Sequence, residues 1–343
     1  MRILQYIGKR VASSIVVILL ITLALFLIFF LLPTNPAQLS CGKPCTPEQL
    51  QRVSAFMGTD KPWYEQMGNY VAGIFVGRTF GSGGGAVVCS APCLGYSFRL
   101  NESVSQLILV RFPITASIAV GAAVLWLVIG VATGVWAALK RDTLIDRTLL
   151  GLSIVGVSAP SYLIGLLTVI AFSLVLQIFP SGGYVNFHDD PVGWFTHLLL
   201  PWLVLAVLSA AGYTRVTRTQ MIGELSQDYI RTARSKGVPE SVIVFKHALR
   251  NALLPVMTMF GLDLGGLLGG AVLTEKVFSM QGLGSPLLGF LAKLSPRRDS
   301  VSNRDLQVLV GATIFAAVLV IVANLIVDIC YSLLDPRVAL GTK

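Results

Sequence analysis

The amino-acid sequence consists of long apolar stretches separated by shorter polar and basic segments. A helix needs about 20 predominantly apolar residues to cross a bilayer, and six stretches meet this requirement. They comprise residues 11–32, 114–139, 149–179, 198–216, 253–273 and 308–334. The pattern therefore predicts an all-α polytopic membrane protein with about six transmembrane helices.

The first and third stretches differ from a plain spanning helix. The first is longer than the apolar region of a cleaved signal peptide, and no small-x-small site follows it, so we expect a retained anchor. The third contains Ala159-Pro160. Because proline removes a backbone donor and clashes with the preceding turn, we expect either a kinked span or a short helix followed by a span.

The composition argues against a soluble protein. The chain is 54% hydrophobic and 13% charged, whereas a soluble domain carries about 25% charged residues. The net charge is +9. The basic residues flank the apolar stretches and carry no interleaved stacking aromatics, so we do not expect nucleic acid as a partner.

The basic residues predict the orientation instead, because lysines and arginines in short loops mark the cytoplasmic side. They lie before the first stretch, between the second and third, between the fourth and fifth, and after the sixth. With six spans, these segments share one side, and both termini are cytoplasmic. The predicted parts are an N-terminus with the first helix (1–32), an extracytoplasmic loop (33–112) and a five-helix core (113–343) with a cytoplasmic loop at 215–252.

Four cysteines lie in the predicted extracytoplasmic loop as two C-x-x-x-C pairs. They are Cys41, Cys45, Cys89 and Cys93. Thiols outside the cytoplasm oxidise, so we expect disulfides, and a pairing that joins the two clusters is one option. A zinc site is the alternative, although this spacing is looser than that of the usual zinc knuckle. Between the clusters, residues 46–76 are predicted to form one or two short helices, starting at Pro47.

Signatures of catalysis are missing from the sequence. It has no G-x-x-x-x-G-K-[ST] phosphate loop. Its three histidines are scattered without metal-ligand spacing, and no catalytic set stands out. We therefore expect a non-catalytic chain that holds no cofactor or metal of its own.

The segment between the fourth and fifth stretches is the most informative one. Residues 228–236 (DYIRTARSK) predict a short basic helix, and Gly237 suits its end because glycine accepts the left-handed cap conformation. Pro239-Glu240 then suits a new helix start. A helical elbow with a basic face is typical of a docking surface for a partner. A solvated loop that only fixes the topology is the alternative.

The motifs in this segment resemble the signature of binding-protein-dependent ABC import permeases. In that family, Glu-Ala-Ala is followed by Gly and later by Leu-Pro. Here the corresponding positions are Arg231, Thr232, Ala233, Gly237 and Leu254-Pro255. The missing Glu and the longer gap before the Leu-Pro are both similar to the dipeptide and oligopeptide branch. The stretches LLPTNPA (31–37), DKPW (60–63), GGAVLTEKVFSMQGLG (269–284) and NLIVDICYSLLDPRV (324–338) also resemble that branch, whereas the two cysteine pairs do not.

The resemblance implies a type I importer permease in a bacterial inner membrane that moves di- or oligopeptides. Its partners would be a second permease, two cytoplasmic ATPases that bind ATP and Mg, an extracytoplasmic binding protein and membrane lipid. The implied ATPase-coupling residues are Arg231, Thr232, Ala233, Arg234, Lys236, Gly237 and Glu240. Nickel complexes, glutathione or another small solute are alternative substrates. An ion-driven secondary transporter is a second alternative, but it predicts an internal repeat, which the sequence does not display.

Polar residues within the predicted spans are candidates for lining a transport pathway, because ionisable groups in a bilayer are costly. These candidates are Asp263, Asn324, Asp328 and Glu275. The alternative is that they hold the bundle together by interhelical hydrogen bonds, which we favour for Asp328. Glycines at four-residue spacing, including Gly130 and Gly134, and Gly261 and Gly265, predict faces for close helix packing.

Overall fold

The computed structural model describes residues 2–31, 37, 45–81, 86–97, 100–268, 271–284 and 306–334. The side chains of residues 2–7, 9, 29–31, 306 and 327–334 lie outside this description. The described residues form two compact units. We call them the core unit, built mainly from the described residues within 114–281 and 320–334, and the cysteine unit, built from the described residues within 8–113 and 282–319.

The described part of the chain is mainly helical, as predicted. The helices and strands of the first half are α1 (Arg2–Leu31), α2 (Pro47–Met57), α3 (Trp63–Val76), β1 (Arg78–Phe80), β2 (Val87–Cys89), β3 (Tyr96–Ser97), β4 (Glu102–Ser103) and α4 (Val104–Leu139). Those that follow are α5 (Leu144–Ser158), α6 (Ser161–Thr168) with a π-helical continuation (Val169–Val175), α7 (Pro191–Leu225), α8 (Asp228–Ser235), α9 (Glu240–Val242) with a π-helical continuation (Ile243–Ala248), α10 (Leu249–Leu268), α11 (Val272–Val277) and α12 (Leu306–Leu334).

Five helical segments in the described residues are long and apolar enough to cross a membrane. They are α1, α4, α7, α9 with α10, and α12. The pair α5 and α6 adds a sixth candidate, but the two helices are bent by 99° at a short break. Ala159 and Pro160 have extended backbone conformations there. The predicted interruption is therefore confirmed. Neither half of the pair has the length of a span, so a short helix followed by a full span is not what forms.

The helices extend beyond the apolar stretches because polar residues cap them. α4 begins at Val104 rather than near residue 114, and the Ser103 hydroxyl accepts a hydrogen bond from the Gln106 N–H at 3.2 Å. α7 begins at Pro191, where the Asp190 carboxylate accepts from the Val192 N–H at 3.1 Å. Such caps satisfy the free N–H groups of a first turn, and an apolar count alone does not detect them.

The core unit has an interior of closely packed helices. Fully buried Trp126 of α4 and Tyr213 of α7 lie at its centre. A Cβ at Gly130 would collide with Tyr213, and one at Gly134 would lie 2.6 Å from the Cβ of Thr217. This confirms the predicted small-residue face of α4 and assigns it to contact with α7.

The small-residue face of α10 is confirmed in part. A Cβ at Gly265 would lie 3.1 Å from the Cα of Val320 in α12, so these two helices also approach closely. Residues 269 and 270, which continue the predicted glycine pattern, lie outside the described residues. The described part of α10 extends to Leu268, Ala271 is not helical, and α11 begins at Val272 as a separate helix, so the helix does not run unbroken to the predicted residue 273.

The cysteine unit contains the two short helices predicted for residues 46–76 and two antiparallel strand pairs, β1 with β2 and β3 with β4. Thr46 and Gln49 form a capping box at the start of α2, in which each side chain accepts a hydrogen bond from the backbone N–H of the other residue. Two N–H groups at the start of the helix are thereby satisfied. The hydroxyl of Tyr70 in α3 donates to the Leu94 carbonyl at 3.0 Å. The guanidinium of Arg78 stacks over the rings of Tyr70 and Phe80, so α3 and the β1–β2 hairpin form one body.

A disulfide joins Cys89 to Cys93. Both cysteines are buried beside Phe80 and Tyr96. The prediction of disulfides is confirmed for this pair, whereas a bridge from it to the first cluster is wrong because both sulfurs are used within the second cluster. A four-cysteine zinc site is wrong for the same reason, since zinc binds thiolates. Cys45 is also disulfide-bonded, and Cys41 lies outside the described residues.

Candidate functional site

A helical elbow formed by residues 228–242 connects α7 to the π-helical turn that leads into α10. We call it the basic elbow. α8 ends where Gly237 adopts a φ of +73°, in the left-handed region that favours glycine. The Gly237 N–H donates to the Arg234 carbonyl at 3.0 Å, and the Val238 N–H donates to the Ala233 carbonyl at 3.2 Å. The predicted helix, glycine stop and new start at Glu240 are therefore confirmed.

One apolar face attaches α8 to the core unit. Ile230 is completely buried, in a cluster with residues of α4, α7, the π-helical turn and α10. These neighbours are Val135, Ala138, Met221, Ile243, Val244, Ala248 and Ala252. Ala233 and Val238 pack against the same cluster and are partly buried. α8 therefore cannot move without displacing the ends of the longer helices that it touches.

The opposite face of the basic elbow is exposed and carries most of the predicted coupling residues. The exposed ones are Arg231, Thr232, Arg234, Lys236, Gly237 and Glu240. Ala233 is the exception, because it faces the apolar cluster. The exposed residues form a compact, mainly cationic surface that a partner with a complementary groove could contact.

An ion pair closes the basic elbow across its glycine. Arg234 donates through Nε to Glu240 Oε2 at 3.1 Å and through Nη2 to Oε1 at 2.6 Å. This bidentate geometry fixes the relative direction of α8 and α9. Because both side chains are exposed, the pair contributes about 0–1 kcal/mol to stability. Its main effect is to hold the shape of the elbow.

A phenol connects the basic elbow to both flanking helices. Tyr229 of α8 donates to Glu224 Oε2 of α7 at 2.5 Å. Asn251 of α10 donates through Nδ2 to the Tyr229 hydroxyl at 3.0 Å and to Glu224 Oε2 at 3.4 Å. Burial and, after it, the hydrogen bond to Glu224 raise the pKa of Tyr229. No pattern in the sequence indicates that these three side chains meet, because Asn251 is 22 positions from Tyr229.

A second polar contact, an ion pair, joins α5 to α7. Arg218 donates through Nε to Asp146 Oδ1 at 2.5 Å and through Nη2 to Oδ2 at 2.6 Å, and the Asp142 N–H also donates to Oδ2 at 3.0 Å. The Asp146 side chain is 3% exposed and that of Arg218 is 18% exposed. In the sequence, Arg218 is one of the basic residues between the fourth and fifth apolar stretches, and no local pattern indicates Asp146 as its partner.

Among the pathway candidates, Glu275 and Asp263 have different environments. Glu275 is fully buried in α11 and accepts a hydrogen bond from the buried Thr115 hydroxyl of α4 at 2.6 Å. This contact favours a role in holding α11 against α4. Asp263 of α10 is exposed, and its Oδ2 accepts from the hydroxyl of buried Tyr213 at 2.8 Å. Asp263 therefore has the accessibility that a pathway residue needs.

The other two candidates lie on α12. Asn324 is half-buried, and the side chain of Asp328 lies outside the described residues. Among the described residues, no group of three or more His, Cys, Asp or Glu side chains could hold a metal ion.

Comparison with known proteins covers nearly the whole chain. Residues 130–340 match the family described as binding-protein-dependent transport system inner membrane component, and residues 3–119 match its N-terminal counterpart. A putative peptide transport system permease protein of Brucella suis is 39% identical over 330 residues, which cover 96% of this chain and 97% of the relative.

Two further relatives have similar coverage. The oligopeptide transport system permease protein AppB of Bacillus subtilis is 36% identical over 339 residues, with 97% of this chain and 98% of the relative covered. The dipeptide transport system permease protein DppB of Escherichia coli is 32% identical over 359 residues, with 98% of each chain covered.

Proposed function

The chain belongs to the family of binding-protein-dependent transport system inner membrane components, and from this membership we propose that it is the membrane-spanning permease subunit of an ATP-driven peptide importer. The observation that carries the proposal is the match along nearly the full chain to permeases named for peptide transport. The described fold agrees, since it has five long apolar helices and a broken sixth. Its role is that of a transport subunit, with hydrolysis of ATP left to partners.

The partners follow from the family, which works with an ATPase and a substrate-binding protein. In our proposal, two ATPases that bind ATP and Mg lie in the cytoplasm, and a second permease completes the pathway. Both termini and the basic elbow face the cytoplasm of a bacterial cell, and residues 33–112 face outward to the binding protein. The excess of lysine and arginine in the short loops supports this orientation.

The basic elbow is the proposed contact with an ATPase. Its exposed cationic face would enter a groove on that partner, and its buried Ile230 would pass the displacement to the core unit. Nucleotide-driven closure of the ATPases would then bias the spans between two states. The shared apolar cluster supports this mechanism because a packed interior transmits displacement with little compression.

Reconstitution tests the proposed function. The chain is expressed with its partner ATPases and the second permease and purified as a complex. The complex is placed in vesicles with the binding protein outside and ATP inside. We expect peptide uptake that requires all of these components. Uptake of solute by the chain alone, driven by an ion gradient, would show a secondary transporter. Uptake of nickel complexes or glutathione but of no peptide would correct the substrate and retain the importer.

Protease protection tests the orientation separately. In sealed cells, a protease added outside should leave the basic elbow intact and should cleave it only after the membrane is opened. A cleavage at the arginines of residues 231–236 in sealed cells would overturn the docking assignment.

A further inference from the structure

Asp263 is a charged residue on an exposed part of a membrane-spanning helix. It lies in the last two turns of α10, beside Leu262, whose side chain is 60% exposed. Gly266, one turn further on, has no atom within 4 Å of the position that a Cβ would occupy. The carboxylate is therefore next to open space and to a residue without a side chain, so that another molecule could approach it closely.

The carboxylate is oriented by one of its oxygens only. Oδ2 accepts the hydrogen bond from Tyr213, whose ring is fully buried and lies 6.2 Å from the ring of Trp126. Trp126 in turn lies 6.1 Å from Phe260 of α10. The phenol is thus held by aromatic packing, and it fixes the position of the carboxylate. Among the residues that the structure describes, Oδ1 has no hydrogen bond and no lysine or arginine lies within ion-pair distance of Asp263.

The contact with Tyr213 does not account for the negative charge. A hydroxyl can also donate to the neutral carbonyl oxygen of an asparagine, so this contact does not require a charge. A charged group within a bilayer span is costly and is found where it faces a water-filled path or a partner charge. Asp263 therefore carries a charge that the contact with Tyr213 does not need, and its Oδ1 accepts no hydrogen bond from the described residues.

We infer that Asp263 is a binding subsite for a primary ammonium group of the transported peptide, oriented by Tyr213. This inference rests on the proposed function. An ammonium has three donors and forms a strong charge-assisted hydrogen bond with a carboxylate oxygen. The free amino terminus of a peptide and the side chain of a peptide lysine have the same chemistry, and both would bind at Oδ1 during passage.

The test compares Asp263→Asn with Asp263→Glu in the reconstituted importer, with radiolabelled trialanine as the probe. Both variants keep an acceptor for Tyr213, but only Glu keeps the charge. We expect Asn to slow trialanine import about tenfold, the effect of losing one hydrogen bond to a charged group, and Glu to recover most of the rate. Co-purification of both variants with the ATPases and the second permease measures assembly.

Acetylated probes identify the source of the ammonium group. The ratio of variant to parent rate is taken for each probe, so that the preference of the binding protein cancels. For N-acetyl-trialanine we expect a ratio near one, and for N-acetyl-Ala-Lys-Ala a ratio below one only if a lysine side chain reaches the subsite.

The results separate failure of the subsite from failure of the proposed function. Equal trialanine import by the Asn variant and the parent would overturn the subsite and leave the importer in place. An equal loss with Asn and Glu would show that shape matters rather than charge and would also overturn it. Loss of co-purification with Asn would assign Asp263 to a contact with the second permease. Absence of peptide import by the parent complex would instead refute the proposed function.

Discussion

Replacement of Gly237 tests whether the backbone shape of the basic elbow couples transport to ATP hydrolysis. Gly237 has a φ of +73° and is exposed, and a Cβ there would meet no atom within 4 Å. A substitution therefore acts through backbone conformation rather than through a collision. Alanine in a left-handed conformation costs about 1–2 kcal/mol, which corresponds to a roughly 5–30-fold lower equilibrium population of the native elbow.

The expected order of coupling follows tolerance of positive φ rather than side-chain size. Asparagine adopts the left-handed region more readily than alanine, and a β-branched residue is a marked outlier there. Proline fixes φ near −65° and removes the N–H that donates to Arg234. We therefore expect Gly237→Asn to remain closest to the parent, followed by Gly237→Ala, Gly237→Val and Gly237→Pro.

The assay measures peptide imported per ATP hydrolysed in reconstituted vesicles, together with insertion of the chain into the membrane. Gly223→Ala is the matched control, since Gly223 lies within α7, also has open space at the Cβ position, and has a helical backbone in which alanine is favoured. Valine or proline at position 237 should keep insertion and lose coupling. Normal coupling in Gly237→Pro, or an order that follows side-chain volume, would refute the docking of this elbow.

Three other contacts give testable expectations. Asp146→Asn breaks the ion pair with Arg218, and we expect the free energy of unfolding to fall by about 3 kcal/mol. This is the low end for a buried pair, because Arg218 keeps some exposure. Thermal unfolding in detergent measures the change, and the double variant Asp146→Leu with Arg218→Met should recover stability. Tyr229→Phe removes the hydroxyl that binds Glu224 and should lower peptide imported per ATP without loss of assembly, whereas an unchanged ratio would refute its role in transmission. Double replacement of Cys89 and Cys93 by serine should lower the free energy of unfolding by about 2 kcal/mol, because the unfolded chain regains the entropy that the short disulfide loop had removed. Proteolysis of residues 77–97 should be faster in the double variant, and equal rates would contradict this expectation.

Features that depend on neighbouring residues were predictable from the sequence. The six apolar stretches follow from composition within one segment, and the break of the third span follows from the backbone restrictions of Pro160. The end of α8 follows in the same way from Gly237. Each of these needs only the local chain and general rules of helix geometry.

Features that join distant segments were not predictable. Arg218 and Asp146 are separated by 72 positions, and Tyr229 and Asn251 by 22. No local pattern indicates which polar residues will meet, because the pairing is decided by how the helices pack. The cysteine pairing was not predictable for a related reason, since spacing permits several connectivities, of which the structure contains the bond between Cys89 and Cys93.

The basic elbow is connected to Asp263 through the π-helical turn Ile243–Ala248 and α10. α8 packs on the π-helical turn Ile243–Ala248, which leads directly into α10. A π-helical turn departs from the regular α-helical hydrogen-bond pattern and is frequent at functional sites. Beyond it, Asp263 lies 14 residues from Leu249, or about 21 Å along the axis. A push on α8 would therefore reach α10, which carries Asp263, and also α7, which carries Tyr213, because both helices contribute to the apolar cluster around Ile230. If the elbow and the ammonium subsite act as proposed, nucleotide binding should change the Tyr213–Asp263 contact and thereby release the peptide. A peptide off-rate that is the same in both nucleotide states would break this connection.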